Sequence, residues 1–422
     1  MSFRKQKSNL SESQLTSNDP FAALRFKDYR QFTIGRLLLF TGGQMQNVAI
    51  GWELYERTNS ALVLGGIGLA QIVPILILTL IAGHVADKRD RRLTVLISLI
   101  LLVCCSLALT VISYLQGAIF LVYTCLVLKG IARAFFKPAS DAMMWQLIPT
   151  NVYTNAATWN SGIFQLASVI GPALGGFGIA IFGHATGVYI IAALTTLSCF
   201  ALTTTIQKPE NTLNKEPISL KTLAAGAEFV WQNKIILAAI TLDLFAVLFG
   251  GAVALLPVFA KDILHVGPLE LGYLQAAPSI GALIMVTSLI YLPPIKKAGF
   301  ALLWSVVGFG VVTIIFGLSR WLWLSILMLA LSGALDSISV VIRHTLVQIK
   351  TPDNLRGRVS AINTVFISAS NELGAFESGL AAALLGPILA VTSGGVATIL
   401  VVIATAIIWP EIRHLENLEE RE

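Results

Sequence analysis

Long apolar runs separated by short polar segments constrain this chain more than any other feature. About 20 apolar residues in an α-helix are needed to cross the hydrocarbon core of a bilayer. Only 12% of the 422 residues are charged, against about 25% in ordinary soluble domains. The sequence therefore predicts an all-α polytopic membrane protein with twelve transmembrane helices. The runs lie near 31–55, 62–86, 93–115, 118–148, 156–182, 187–206, 234–263, 271–293, 300–318, 322–349, 359–385 and 392–409.

The runs fall into two sets of six, with polar segments before, between and after them. A short amphipathic stretch near 220–231 is expected to lie along the membrane surface. The first thirty residues contain no apolar stretch typical of a cleavable signal peptide. The predicted domains are an N-terminal tail at 1–30, six-helix bundles at 31–206 and 234–410, a linker at 207–233 and a C-terminal tail at 411–422.

The two sets also repeat in sequence. A shift of 203 residues superposes several proline, asparagine and glycine residues without a gap, which indicates a duplicated six-helix unit. The matching pairs are Pro149 and Pro352, Asn151 and Asn354, Asn160 and Asn363, Gly171 and Gly374, and Gly176 and Gly379.

The basic residues are distributed unequally between the two sides of this topology. The side with both chain ends holds 21 Lys and Arg residues, whereas the other side holds Arg57, Lys261 and Arg320. Because positive loops stay in the cytoplasm, we expect both ends there, in a bacterial inner membrane. This orientation also accounts for the net charge of +6 without a nucleic-acid partner.

A charged loop of ten residues, 83–92, connects the second and third runs and reads Gly-His-Val-Ala-Asp-Lys-Arg-Asp-Arg-Arg. Its Gly-x-x-x-Asp-Lys-x-x-Arg-Arg pattern resembles the loop motif of the major facilitator superfamily, although Asp90 stands where that family usually has glycine. The resemblance implies that Asp87 bonds across the two halves when the cytoplasmic side is shut, with Arg91 as its basic partner. The gating residues expected from this resemblance are Gly83, Asp87, Lys88, Arg91, Arg92 and Arg358.

A second motif lies in the fifth run, where Gly171-Pro172-x-x-Gly175-Gly176 provides small residues for close helix packing. It resembles the fifth-helix motif of major facilitator antiporters, which implies an exporter. Three further stretches are similar to the enterobactin-exporter group, which exports siderophores and other amphipathic compounds against protons. These stretches are 35–36, 135–139 and 351–359. The second-half counterpart of the charged loop, 293–299, has no acidic residue.

Ionisable residues within the membrane are costly and usually functional. Asp243, Asp336 and Glu372 fall near the middle of their runs and are the predicted proton-coupling residues. Arg133 and Lys129 lie one helical turn apart and are predicted to attract carboxylate- or catecholate-bearing substrates. Two further candidates lie closer to the ends of the first run, where side chains can instead reach the interface. These candidates are Arg36 and Glu53.

Two relations, one within the sequence repeat and one along the helix, favour Asp336 among the predicted proton-coupling residues. Asp336 is the 203-residue counterpart of Arg133, and Arg343 lies two turns along the same helix as a possible regulator. Uncharged polar residues complete the predicted substrate site, although each of them can instead form a hydrogen bond between helices. They are Gln44, Asn47, Gln71, Asn160, Gln165, Gln275, Asn363 and Asn371.

The chain contains no phosphate-binding loop, so we expect transport driven by an ion gradient without ATP. Its four cysteines have no metal-ligand spacing, and we expect no cofactor, no metal and no enzymatic activity. The sequence therefore predicts a monomeric, proton-driven exporter of a small amphipathic or anionic, siderophore-like molecule. The alternatives are a broad multidrug:proton antiporter, a proton-linked importer and a membrane scaffold that transports nothing.

Overall fold

The computed structural model describes residues 19–207, 228–293, 297–352 and 355–415, and those residues form helices, turns and short connections without a strand. Twelve long helices are numbered here in chain order. They are α1 Lys27–Thr58, α2 Ala61–Lys88, α3 Arg91–Tyr114, α4 Ile119–Gln146, α5 Tyr153–Phe182, α6 Thr186–Thr205, α7 Lys234–Phe249, α8 Pro268–Tyr291, α9 Ala298–Leu318, α10 Leu322–Lys350, α11 Arg356–Leu385 and α12 Pro387–Ile408.

Nine of these helices, together with the segment Lys234–Ile263 that begins with α7, are long and apolar enough to cross a membrane. The two that fall short in apolar content are α1 and α11, which carry buried charged and polar side chains along most of their length. The predicted all-α membrane class is therefore confirmed, and ten of the twelve predicted spans meet both criteria by length and composition.

The observed boundaries depart most from the predicted runs at two helices. The run predicted at 392–409 begins earlier, because Gly386 adopts φ +86° and Pro387 opens α12. The run predicted as continuous at 234–263 is broken after Phe249. Beyond the break, a 3₁₀ turn, a single α turn and the π-helical segment Phe259–Ile263 continue α7. The amphipathic segment predicted near 220–231 lies mostly outside the described residues.

The helices pack with the same pattern in each half of the chain, α1–α6 and α7–α12. In the first half α1 packs on α5 and α6, α2 on α4, and α3 on α4 and α6. In the second half α7 packs on α11 and α12, α8 on α10, and α9 on α10 and α12. The halves meet through α2 on α11 and α5 on α8. Each of these packings in one half thus has its counterpart in the other.

The repeated glycines occupy equivalent places in this packing. A Cβ added at Gly176 would lie 2.9 Å from the Cα of Gly272 in α8, and one at Gly379 would lie 2.6 Å from the Cα of Gly65 in α2. Only glycine allows the backbones of the two halves to approach this closely. The other repeated glycines each pack within their own half, Gly171 against α1 and Gly374 against α7.

The two ends of the bundle are packed differently. The tail end is the end at which the first and last described residues lie, and the far end is the opposite one. One apolar cluster at the far end combines both halves, with Leu54 of α1 beside Leu255 and Phe259 of the α7 continuation. The apolar clusters at the tail end are separate, one in each half. In this conformation the halves are therefore joined at the far end.

Candidate functional site

A cavity of about 590 Å³ lies between the two halves. It is bounded by α1, α2 and α4 on one side and by α7 to α11 on the other. Apolar side chains of the second half, including Phe309, Phe316 and Met328, form part of the wall. The irregular stretch 250–254 that breaks α7 also lines the cavity, as is typical of non-helical backbone at membrane depth.

The structure brings eight of the residues singled out from sequence to this cavity. They come from both halves and include both charge signs. They are Gln44, Asn47, Gln71, Arg133, Gln275, Asp336, Asn371 and Glu372.

The cationic wall of the site is built by α4 and held by amide side chains. Lys129 is buried, and its Nζ donates to Asn47 Oδ1 at 3.1 Å. Arg133 Nη1 donates to Gln71 Oε1 at 2.9 Å, and Asn47 Nδ2 donates to Gln44 Oε1 at 3.3 Å. Within the described residues, neither cation has a carboxylate within 4.0 Å. Arg133, which lines the cavity, therefore remains available to an anion, whereas Lys129 is buried and does not line the cavity.

The acidic wall of the site lies in the second half. Asp336 of α10 and Glu372 of α11 line the cavity, and neither forms a hydrogen bond or ion pair with another described residue. Glu372 lies within electrostatic range of Lys129 and Arg133. The cavity thus presents the Arg133 cation on one wall and the two carboxylates on the other, without direct neutralisation between them.

Asp243 lies behind this acidic wall. Its carboxylate forms an ion pair with Arg343, and the two side chains are only 8% and 2% exposed. Arg343, proposed from helix periodicity as a regulator of Asp336, thus has a carboxylate of α7 as its direct partner. Asp243 and Asp336 nevertheless share a second, much smaller chamber.

Two predicted substrate-binding residues lie outside the cavity in ion pairs of the first half. Near the tail end, Arg36 Nη2 lies 3.2 Å from Asp141 Oδ1. Near the far end, Arg57 Nη1 lies 3.3 Å from Glu53 Oε1, and the Tyr189 hydroxyl donates to the other oxygen of Glu53 at 2.8 Å. Each charge is compensated where it lies, as a charge in a helix bundle requires.

The other predicted polar residues also lie away from the cavity wall. Gln165 Nε2 in α5 donates to the carbonyl oxygen of Ser279 in α8 at 2.8 Å, which links the halves. Asn160 and Asn363, which the sequence repeat pairs, each have a buried Oδ1 without a hydrogen-bond partner among the described residues.

The predicted gating residues lie at the tail end. Arg92 donates to the carbonyl oxygens of Thr203 and Thr204 at 3.4 and 2.5 Å, and so anchors α3 to the end of α6. The Asp87 side chain lies outside the described residues, and its predicted contact across the halves stays a prediction. Arg358 is half-buried in the first turn of α11. The other predicted gating residues lie in α2 and at the start of α3: Gly83, Lys88 and Arg91.

Sequence reasoning missed a polar cluster that joins the halves at the far end. The Tyr55 hydroxyl donates to the carboxylate of Asp262, and Lys261 Nζ donates to Asn59 Oδ1 at 2.9 Å. Lys261 also lies 5.6 Å from the centroid of the Tyr55 ring. We call these four residues the far-end latch. The end of α1 and the end of the α7 continuation are equivalent positions in the two halves. The sequence repeat could therefore have indicated this cluster.

The sequence pattern of the family described as "transmembrane secretion effector" matches residues 18–421. The chain is 25% identical to the multidrug efflux pump Tap of Mycolicibacterium fortuitum, over 80% of this chain and 85% of Tap. It is 26% identical to the enterobactin exporter EntS of Escherichia coli over 60% of each chain. It is 28% identical to the staphyloferrin A transporter of Staphylococcus aureus over 45% of this chain and 50% of that protein.

Solved structures share the fold at lower identity. A bacterial homologue of the iron transporter ferroportin, in an inward-facing state, superposes with a TM-score of 0.71 at 16% identity, covering 92% of this chain and 99% of that one. The nucleoside transporter NupG gives a TM-score of 0.68 at 13% identity over 94% of this chain and all of that chain. These similarities establish the transporter fold.

Proposed function

The chain belongs to the transmembrane secretion effector family of major facilitator transporters, and on that premise we propose that it exports a small amphipathic or anionic molecule from the cytoplasm by proton-driven alternating access. It is a transporter and not an enzyme. The observation that carries the proposal is the cavity lined by Arg133, which has no carboxylate partner among the described residues, and by the carboxylates of Asp336 and Glu372.

The orientation follows from the charge distribution. The tail end holds most of the loop Lys and Arg residues and is cytoplasmic in this proposal. The conformation joined at the far end is then the one that loads substrate from the cytoplasm. The far-end latch closes the outer side in this state, and the predicted Asp87 contact closes the inner side in the alternate one.

Substrate recognition combines charge with apolar contact. Arg133 binds the carboxylate or catecholate groups of the substrate, because charge-assisted hydrogen bonds are strongest in a water-poor site. The buried Lys129 adds positive charge one helical turn away. Phe309 and Phe316 on the facing wall contact its apolar part. The names of EntS and the staphyloferrin A transporter support a siderophore-like substrate.

Proton coupling is assigned to the acidic wall. A carboxylate that alternates between an apolar environment and one near a cation can take up and release a proton in each cycle. Asp336 and Glu372 are placed for this role because neither forms a hydrogen bond or an ion pair with another described residue, and Asp243 is the third candidate. Substrate and proton then compete through one shared cavity.

A broad multidrug:proton antiporter is the second candidate function. The alignment with Tap favours it, since that match covers more of this chain than the match with EntS. A proton-linked importer is disfavoured by the Gly171-Pro172-x-x-Gly175-Gly176 motif, which resembles that of antiporters.

Everted membrane vesicles containing the chain test the proposal, because export then appears as accumulation in the lumen. Enterobactin, staphyloferrin A and the cation ethidium are supplied in parallel, with and without an acid-lumen gradient. We expect the two siderophores to accumulate only with the gradient and a protonophore to abolish the accumulation. Accumulation of ethidium together with the siderophores favours the multidrug alternative, whereas siderophore accumulation without a gradient contradicts proton coupling.

A further inference from the structure

The chamber behind the acidic wall is at the lower size limit for a single water molecule. Its volume is about 10 Å³, close to the smallest cavity that holds one water. Helices α7, α9 and α10 enclose it. The polar groups among its lining residues are Asp243, Ser305, Asp336 and Ser339.

Two groups in this chamber, Asp336 and Ser339, form no hydrogen bond with any residue that the structure describes. Ser339 is 3% exposed. The Ser305 hydroxyl, by contrast, donates to the carbonyl oxygen of Leu302 at 2.8 Å. Polar groups inside a protein are normally satisfied, and one water in the chamber would serve both Ser339 and Asp336.

We infer that this chamber is a proton relay in which Asp336 receives the proton from the large cavity and passes it to Asp243. The inference rests on the proposed proton coupling and assigns separate tasks to two of its candidate residues. Asp336 has access to both the cavity and the chamber, whereas Asp243 lines the chamber alone. The order of transfer follows from that access.

The transfer is balanced as a proton exchange through one water. The O–H bond of the Asp336 carboxyl group breaks as the water accepts its proton, and the water donates one of its own protons to the Asp243 carboxylate. The water is regenerated, and no electron moves. Ser339 orients the water by a hydrogen bond.

Protonation of Asp243 removes the negative charge that Arg343 pairs with. This ion pair joins α7, which is broken beside the cavity, to α10, which carries Asp336. A buried cation without its partner destabilises the arrangement around it. The relay thus converts proton arrival at the cavity into a weaker attachment between two cavity-forming helices.

The other charged or titratable groups near the relay lie on α4, α10 and α11. On α10, His344 follows Arg343. Helix α9 contributes Ser305 and apolar side chains to the chamber. The remaining charges belong to α4 and α11 across the large cavity, namely Arg133 and Glu372.

Infrared difference spectroscopy on the full-length chain in lipid nanodiscs tests the relay without any substrate. After a rapid drop in pH, the carbonyl stretch of each newly protonated carboxyl group is followed in time. Asp336→Asn and Asp243→Asn assign the two bands. Ser339→Val fills the chamber, and Ser337→Val on the same helix is its matched control, because Ser337 lies outside the chamber and donates to the carbonyl oxygen of Gly333.

We expect Asp336→Asn and Ser339→Val to slow protonation of Asp243 by an order of magnitude or more. Ser339→Val and Asp243→Asn should leave the Asp336 band in place, and Ser337→Val should behave as the unaltered chain. Protonation of Asp243 at the unaltered rate in Asp336→Asn overturns the relay. If Ser339→Val does not fold, the isosteric Asp336→Asn decides alone. This experiment measures no transport, so its failure would overturn the relay and leave gradient-driven export standing. Failure of the vesicle experiment would overturn gradient-driven export and leave the relay standing.

Discussion

Replacing Gly176 by alanine places a methyl group where α5 and α8 join the two halves. The added Cβ would lie 2.9 Å from both the Cα and the amide nitrogen of Gly272, and closer still to the carbonyl oxygen of Pro268. These neighbours are backbone atoms, so no side-chain rotation relieves the contact. Gly162→Ala in the same helix is the matched control, because a Cβ there meets nothing within 4 Å.

The magnitude follows from the overlap. Carbon atoms pack best at about 3.5–4.0 Å, so the helices must separate by roughly half an ångström or more. Overpacking of this kind costs about 1–3 kcal/mol, which corresponds to about 5- to 150-fold in a two-state equilibrium. The cost applies to the conformation joined at the far end, and the population should shift toward the alternate state. Both variants gain the same helix propensity, which cancels in their comparison.

Spin labels at two exposed tail-end positions, Thr154 of α5 and Leu292 just after α8, report this shift by electron–electron double resonance. The four native cysteines, none of which is in a disulfide, are first replaced. We expect Gly176→Ala to add a shorter distance between the labels, as the tail end closes, and Gly162→Ala to match the unaltered chain. Identical distance distributions in all three proteins, each monodisperse, would refute the packing argument.

Three further outcomes are expected. Asp87→Asn should lower the export rate at equal expression while membrane insertion is unchanged. Asp90→Asn is the control, because asparagine can still cap α3. An unchanged export rate in Asp87→Asn contradicts the gating role. Arg133→Gln should weaken binding of anionic substrates about tenfold and of neutral ones little, as measured by equilibrium binding, and equal losses would make Arg133 structural. Tyr55→Phe should disfavour the closed far end by about 1 kcal/mol, since Asp262 is solvent-exposed and its bond is screened; an unchanged distance between the tail-end labels would exclude the latch.

Much of the fold and part of the site are predictable because lipid imposes simple rules. Apolar run length locates most helices, and the 203-residue repeat places Arg133 and Asp336 at equivalent positions of two halves that face each other. A charge or amide in mid-membrane must face something polar. Eight cavity residues could be predicted from that requirement alone, before the helix arrangement was known.

Other features depend on contacts between helices that no single-helix pattern contains. Periodicity places Arg343 on the face of Asp336, but the packing of α7 against α10 supplies Asp243 as its nearer partner. Depth within a run likewise does not reveal that Glu53 is held by Tyr189 of α6. The break in α7 is hidden by a continuous apolar run, although the adjacent glycines at 250–251 mark its place.

The central claim is that Asp336 couples proton movement to substrate export, and simultaneous recording of both fluxes tests it most directly. Everted vesicles are loaded with a pH-sensitive dye, an acid lumen is imposed, and enterobactin is added outside. With the unaltered chain we predict enterobactin accumulation together with proton exit from the lumen. Asp336→Asn should abolish both while still binding enterobactin. Gradient-driven accumulation that persists in Asp336→Asn would contradict the account and pass the role to Asp243 or Glu372, each open to the same amide substitution.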